Sequence, residues 1–154
     1  MIIYVPFGGE FMFGEEYLIG KAEKRSIDSK NRIIFPNWTM AEAGDIVFFY
    51  KEGENIYRVY SKKYINNILT DLNNIELTDE ESKIVFNFVS NLKHANIDKQ
   101  RRVLNATSFT GTVDMLGDID NVILTCNLNS LNVKDYEKNT CKKLRLLFNI
   151  RKGI

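Results

Sequence analysis

What most constrains this chain is that it states one short pattern twice. Residues 24–36 read Lys-Arg-Ser-Ile-Asp-Ser-Lys-Asn-Arg-Ile-Ile-Phe-Pro, and residues 94–106 read His-Ala-Asn-Ile-Asp-Lys-Gln-Arg-Arg-Val-Leu-Asn-Ala. Each holds an apolar residue, Asp, three mostly polar or basic residues, Arg and two aliphatics. Asp28 and Asp98 stand 70 positions apart, as do Arg32 and Arg102. Units this small cannot bury a core alone, so the two copies must pack together. A site built on the repeated Asp and Arg then occurs twice, related by a pseudo-twofold. Paired basic loops of this kind suit a symmetric or tandem ligand, of which DNA is the commonest.

The flanking sequence divides into three parts: an N-terminal arm over 1–20, a first repeat with an extra helix over 21–92, and a second repeat with a C-terminal helix and basic tail over 93–154. The arm alternates aromatic and aliphatic residues, with bends at Gly8, Gly9 and Gly14. Lys21–Ile27 and Arg32–Phe35 read as strands around the Asp28–Asn31 loop, a hairpin pattern. Ile46–Tyr50 is β-branched and aromatic, suited to a buried strand, and Ile56–Tyr60 is its return after a turn at 51–55. Ser61 is placed to cap a helix whose apolar face is Tyr64, Ile65, Ile68, Leu69 and Leu72. Thr78 and Glu81 make a capping box for a second helix, with Ile84, Val85, Phe88, Val89 and Leu92 expected inward. In the second repeat, Gly117-Asp118-Ile119 echoes Gly44-Asp45-Ile46, and Val122–Thr125 and Leu131–Val133 flank an Asn-rich turn. Asp135 is placed to cap a last helix holding Tyr136, Leu144 and Leu147.

Composition narrows the function classes. A chain of 154 residues with 44% apolar content supports one domain or two interlocked halves. Net charge is only +1, so a nucleic-acid ligand requires positive charge gathered on one face. No window approaches a membrane span and the N-terminus is a poor signal peptide, which points to a cytoplasmic protein without membrane partners. Cys126 and Cys141 suit a reducing compartment better than a disulfide framework. One His and two Cys make no metal cluster, and neither a phosphate-cradling glycine loop nor a nucleophile elbow occurs. The expectation is a protein that is not an enzyme and takes no cofactor or metal.

The candidate site residues follow from the repeat. Arg32 and Arg102 can project to phosphate or to guanine O6 and N7, with Lys24, Arg25 and Lys30 around the first and Lys99 and Arg101 around the second. The other reading makes each Asp–Arg pair a structural ion pair within its own loop. For Asp28 and Asp98 that structural role is favoured, because a carboxylate repels phosphate and orients its arginine instead. Pro36 and Trp38 are expected to anchor the chain after the first motif. Phe48, Phe49 and Tyr50 read as core or subunit interface, and His94 as a partly exposed strand residue.

The run Ser26-Ile27-Asp28-Ser29-Lys30-Asn31-Arg32-Ile33-Ile34-Phe35-Pro36 resembles the signature of the MraZ family, within the wider AbrB/SpoVT swapped-hairpin transcription regulators. There each half carries Asp-x-Lys-Gly-Arg followed by aliphatics and Pro, and Asp98–Leu104 is similar to the second copy. The resemblance implies an α+β fold of two interlocked AbrB-like swapped-hairpin halves, a pseudo-twofold barrel-like core and peripheral helices. It also implies a nucleoid-associated transcriptional regulator whose subunits form a ring, a homo-oligomer that sets basic loops on promoter direct repeats of double-stranded DNA. Open edge strands independently favour association between copies. The family's loop glycine is replaced by Asn31 and by Arg101, and Pro by the Asn105-Ala106 stretch. Asn tolerates left-handed backbone well and Arg less so, so the second loop is expected to differ from the first. The competing class keeps the fold but uses degenerate loops as a protein–protein interaction or assembly module without DNA binding.

Overall fold

The computed structural model describes residues 10–11, 20–39, 41–117, 121–128, 131 and 139–153, and the protein is a mixed α+β molecule. The elements are β1 (Glu10–Phe11), β2 (Gly20–Ser26), β3 (Arg32–Ile34), a 3-10 turn at Asn37–Thr39, β4 (Ile46–Gly53) and β5 (Ile56–Ser61). They continue with α1 (Lys62–Asn73), α2 (Asp79–Ser90), β6 (Lys93–Asn96), β7 (Arg102–Leu104), β8 (Thr112–Gly117), β9 (Asn121–Thr125) and α3 (Thr140–Lys152). Seven strands form one antiparallel sheet in the order β1-β2-β8-β9-β5-β4-β6, and β3 pairs with β7 in a separate ribbon.

The repeated motif does not close on itself as a hairpin. β2 pairs with β8 of the other repeat, β6 pairs with β4, and β3 pairs with β7. Each loop turns its chain out of the sheet and into the ribbon, so the backbone donors of a strand are met by the opposite half. The exchange is symmetric. Swapping the halves maps the Arg58–Ile123 pair of β5 and β9 onto itself, and likewise the Ile33–Val103 pair of the ribbon. A pseudo-twofold axis therefore runs through the middle of the sheet and the middle of the ribbon.

Two expectations are corrected by this pairing. The sheet does not close into a barrel: among the described residues its ladder ends at β1 and β6, and β3 and β7 pair with each other, linked to the β6 edge only by the single Ile97–Val103 bridge. The echo of Gly44-Asp45-Ile46 in Gly117-Asp118-Ile119 is not structural either. The Asp45 carbonyl accepts from Ile97 N–H and the Gly111 carbonyl accepts from Ile27 N–H, so Gly111 holds the place of Asp45 and Gly117 lies six residues beyond it. Gly117 ends β8, and residues 118–120 lie outside the described residues.

Strand alternation builds three layers. Val47 and Phe49 of β4, Tyr57 and Val59 of β5, Met115 and Leu124 face the ribbon, where they bury Ile33, Phe35 and Val103. The alternate residues Phe48, Tyr50 and Tyr60 face the helices, packing on Ile65, Ile68, Leu72, Phe88, Cys141 and Leu144. Each large apolar side chain buried here contributes about 1.5–3 kcal/mol. Trp38 is half-buried and donates its indole N–H to Glu23, so the segment after Pro36 is anchored as expected.

Ser61 caps α1 by accepting from Tyr64 N–H, and Thr78 with Glu81 forms the full capping box on α2. The inward stripe expected on α2 holds along its centre and fails at its flanks. Phe88 is buried and Val85 and Leu92 pack partly buried against the same cluster, while Ile84 and Val89 are exposed. The helix holding Leu144 and Leu147 is capped by Asn139, and Asp135 and Tyr136 lie outside the described residues, as does most of the arm. Cys126 and Cys141 are both free thiols.

One polar cluster on the helix side escaped sequence reading. Glu52 pairs with buried Arg58 at 3.4 Å and accepts the backbone N–H and hydroxyl of Thr140 at 2.7 and 2.8 Å. It thereby docks the start of α3 on the sheet. Burial pushes the neighbouring Cys141 thiol up to about 12, so it stays protonated and unreactive at neutral pH.

Candidate nucleic-acid interface

The two repeated loops are built by their aspartates. Asp28 Oδ1 accepts the N–H groups of Lys30 and Arg32 at 2.9 and 2.8 Å, and Oδ2 accepts Arg32 Nε–H at 2.8 Å. Asp98 repeats this with Gln100 N–H, Arg102 N–H and Arg102 Nε–H at 2.8, 2.9 and 2.6 Å. The main chain matches too: Asp28 and Asp98 N–H donate to the carbonyls of Arg32 and Arg102, each at 3.0 Å. Asp is the residue type that can do this, since its short side chain folds back on the amides two and four positions on.

Partial withdrawal from water opposes ionisation of both carboxylates. Hydrogen bonds from the arginine backbone and guanidinium, from the adjoining N–H and from the guanidinium charge outweigh it, and hold each below the ordinary aspartate value of 3.8. Asp28 and Asp98 are thus structural anchors.

The expected difference between the loops is not found. Asn31 and Arg101 both sit at φ 60, in left-handed backbone. The aspartate clamp imposes the turn on whichever residue stands there. The departures at Asn31 and Asn105 are themselves partners. Asn31 donates its amide to the Asn105 carbonyl at 3.2 Å, and Asn105 donates its own amide to Asn31 Oδ1 at 3.1 Å. Asn105 is buried and also donates to the Phe109 carbonyl at 3.0 Å.

The ribbon sets one loop at each of its ends: Arg32 opposite Leu104, and Arg102 opposite Ile34. Of the candidate DNA contacts, Lys30 and Lys99 are exposed at the loop tips, and Arg101, Arg32 and Arg102 are half-exposed. The Nε of each repeated arginine is committed to its aspartate, so only the Nη edge of the fork faces outward for a ligand. Lys24 and Arg25 stand differently. Lys24 lies 3.4 Å from buried Asp114, and Arg25 pairs with Glu23 at 2.8 Å. These two neutralised cations flank the first loop only, since the matching places in the second copy are His94 and Ala95. His94 is exposed on β6, as expected.

Sequence reasoning missed Glu23 and Asp114 as charge partners: Asp114 because its pairing with Lys24 crosses from β2 to β8, and Glu23 although it stands two residues from Arg25 on the same face of β2. The five loop cations face two carboxylates, a local positive excess at the ends of the ribbon.

Among the described residues no group of His, Cys, Asp and Glu could hold a metal ion, and no helix is long and apolar enough to cross a membrane. Comparison with known protein families finds none whose pattern matches this chain, and no curated protein matches it in sequence.

Proposed function

We propose that this chain is a DNA-binding transcriptional regulator of the MraZ kind, with its two halves interlocked as AbrB-like swapped hairpins. The single observation that carries this reading is the pair of identical aspartate-clamped loops, related by the pseudo-twofold. A rigid turn that presents Arg and Lys at both ends of one ribbon lowers the ordering cost of binding. No catalytic constellation accompanies these loops, and the proposed role is recognition. In this reading the copies assemble into an oligomer, which multiplies weak loop contacts.

Fluorescence anisotropy of the full chain on a labelled duplex at graded salt tests the proposal. Affinity is expected to fall by about 0.9 log units per log salt for each phosphate neutralised. Lys30→Ala and Lys99→Ala are each expected to reduce that slope by about one. Binding that ignores salt, or no binding, rejects the reading.

The interaction-module alternative draws on α2, where Phe86 is 71% exposed beside exposed Val89 one turn on. Apolar patches of this kind mark association surfaces. Light scattering that finds a monomer at micromolar concentration, together with salt-independent DNA behaviour, would shift the balance toward a foreign protein partner.

A further inference from the structure

Four of the five repeated positions in each motif have a structural occupation, and the leading one, Ile27 or Ile97, packs on the core. Asp builds the loop, Arg closes it, and the first aliphatic, Ile33 or Val103, is fully buried against the sheet. The second aliphatic has none. Ile34 is 45% and Leu104 59% exposed, yet both copies carry a large aliphatic there. The next two positions have meanwhile diverged from Phe35-Pro36 to Asn105-Ala106. A feature kept by both halves where packing does not demand it asks for a ligand.

The ribbon register supplies the ligand's chemistry. Leu104 lies directly opposite Arg32, and Ile34 directly opposite Arg102. Opposed side chains in such a pair stand about 5 Å apart. The outward face is therefore a checkerboard of two guanidinium forks and two aliphatics, bounded by exposed Lys30 and Lys99.

We infer that this ribbon face, and not the loops alone, enters the DNA major groove, with Ile34 and Leu104 reading thymine methyl groups beside guanines met by Arg32 and Arg102. The inference rests on the DNA-binding role proposed above. The major groove is about 12 Å wide and admits a two-stranded β-ribbon, and thymine is the base that displays a methyl there. Three residues per strand cover about 10 Å, the rise of about three base pairs. The positive excess of the loops complements the phosphates on either side of the groove, and the aliphatics supply the base discrimination that phosphate contacts lack.

The test starts with selection by the full chain from a random duplex library at low salt. The enriched duplex is then remade with thymines replaced one at a time by uracil, which lacks only the methyl. Anisotropy titration is expected to lose about fourfold in affinity at each contacted thymine, the factor given by burial of one methylene-sized group. The Ile34→Ser, Leu104→Ser double variant is expected to bind thymine and uracil duplexes alike, with folding confirmed by thermal denaturation. Equal binding of both duplexes by the unaltered chain overturns the inference and leaves salt-dependent DNA binding standing. Undiminished thymine preference in the serine variant overturns it as well. Failure of the library to enrich any duplex overturns the DNA reading itself.

Discussion

The first and second loops differ at almost every residue that is free to differ, and yet they fold alike. Ser29-Lys30-Asn31 in one corresponds to Lys99-Gln100-Arg101 in the other, while every aspartate hydrogen bond is reproduced to within about 0.2 Å. The difference teaches that the turn is dictated by the carboxylate and its two amides, not by the conformational taste of the residue at positive φ. What the intervening residues remain free to set is charge. The first loop presents one lysine before its arginine, and the second presents a lysine and an additional arginine.

The comparison breaks most severely where Asn31 and Asn105 tie the halves unequally. Asn105→Ala removes a buried amide that serves Asn31 and the Phe109 carbonyl. It is expected to cost about 1–3 kcal/mol, read as a fall in the denaturant midpoint at unchanged m-value. Amide exchange should quicken at Asn31 more than at Arg101. Asn31→Gly is expected to cost about 1 kcal/mol, since the lost Asn105 bonds outweigh a small relief of strain.

Arg101→Gly carries the opposite sign. Its side chain has no matching partner, and relief of left-handed strain should stabilise the fold by about 0.5–1 kcal/mol. If both glycine variants move stability in the same direction, the inequality between the loops is not located in the Asn31–Asn105 pair.

The smallest effect is common to both loops and comes with pH. Asp28 and Asp98 have folded pKa values below the ordinary 3.8. The stability they contribute is complete above that value and is lost as pH falls through the depressed folded ones. Protection of the Arg32 and Arg102 amides should therefore persist at pH 5 and fade together below about pH 4. Loss in one loop before the other would show that their clamps are unequal.

Local chemistry made much of this legible in advance. The Asp–Arg spacing, the Ser61 and Thr78 caps and the buried strand at Phe49 are all decided within a few residues, so sequence reading reached them. Strand partners were not legible. Lys24 finds Asp114 only because β2 lies against β8, and nothing in the spacing around residue 24 announces it. The stripe on α2 narrowed to Val85, Phe88 and Leu92 for a related reason: periodicity says which residues share a face, not how much of that face another element covers. The exposed pair Ile34 and Leu104 was within reach, since strand alternation turns each outward once Ile33 and Val103 are placed inward.

The symmetric exchange of strands also governs how the chain acquires its structure. Ser26 meets Thr112 and Lys21 meets Gly117, so the partner of the first long strand is made late in synthesis. Until β7 and β8 emerge, β2 is unpaired along its long edge and β3 has no ribbon mate. Neither half holds a complete set of ladder bonds, so a fragment ending at residue 92 is expected to remain unfolded and prone to aggregation. Contacts this distant along the chain make folding slow and cooperative, because only the β4–β5 and β8–β9 hairpins are local and every other long ladder waits for the halves to meet. Duplication here has produced not two domains in tandem but one folding unit that appears only when both copies are present.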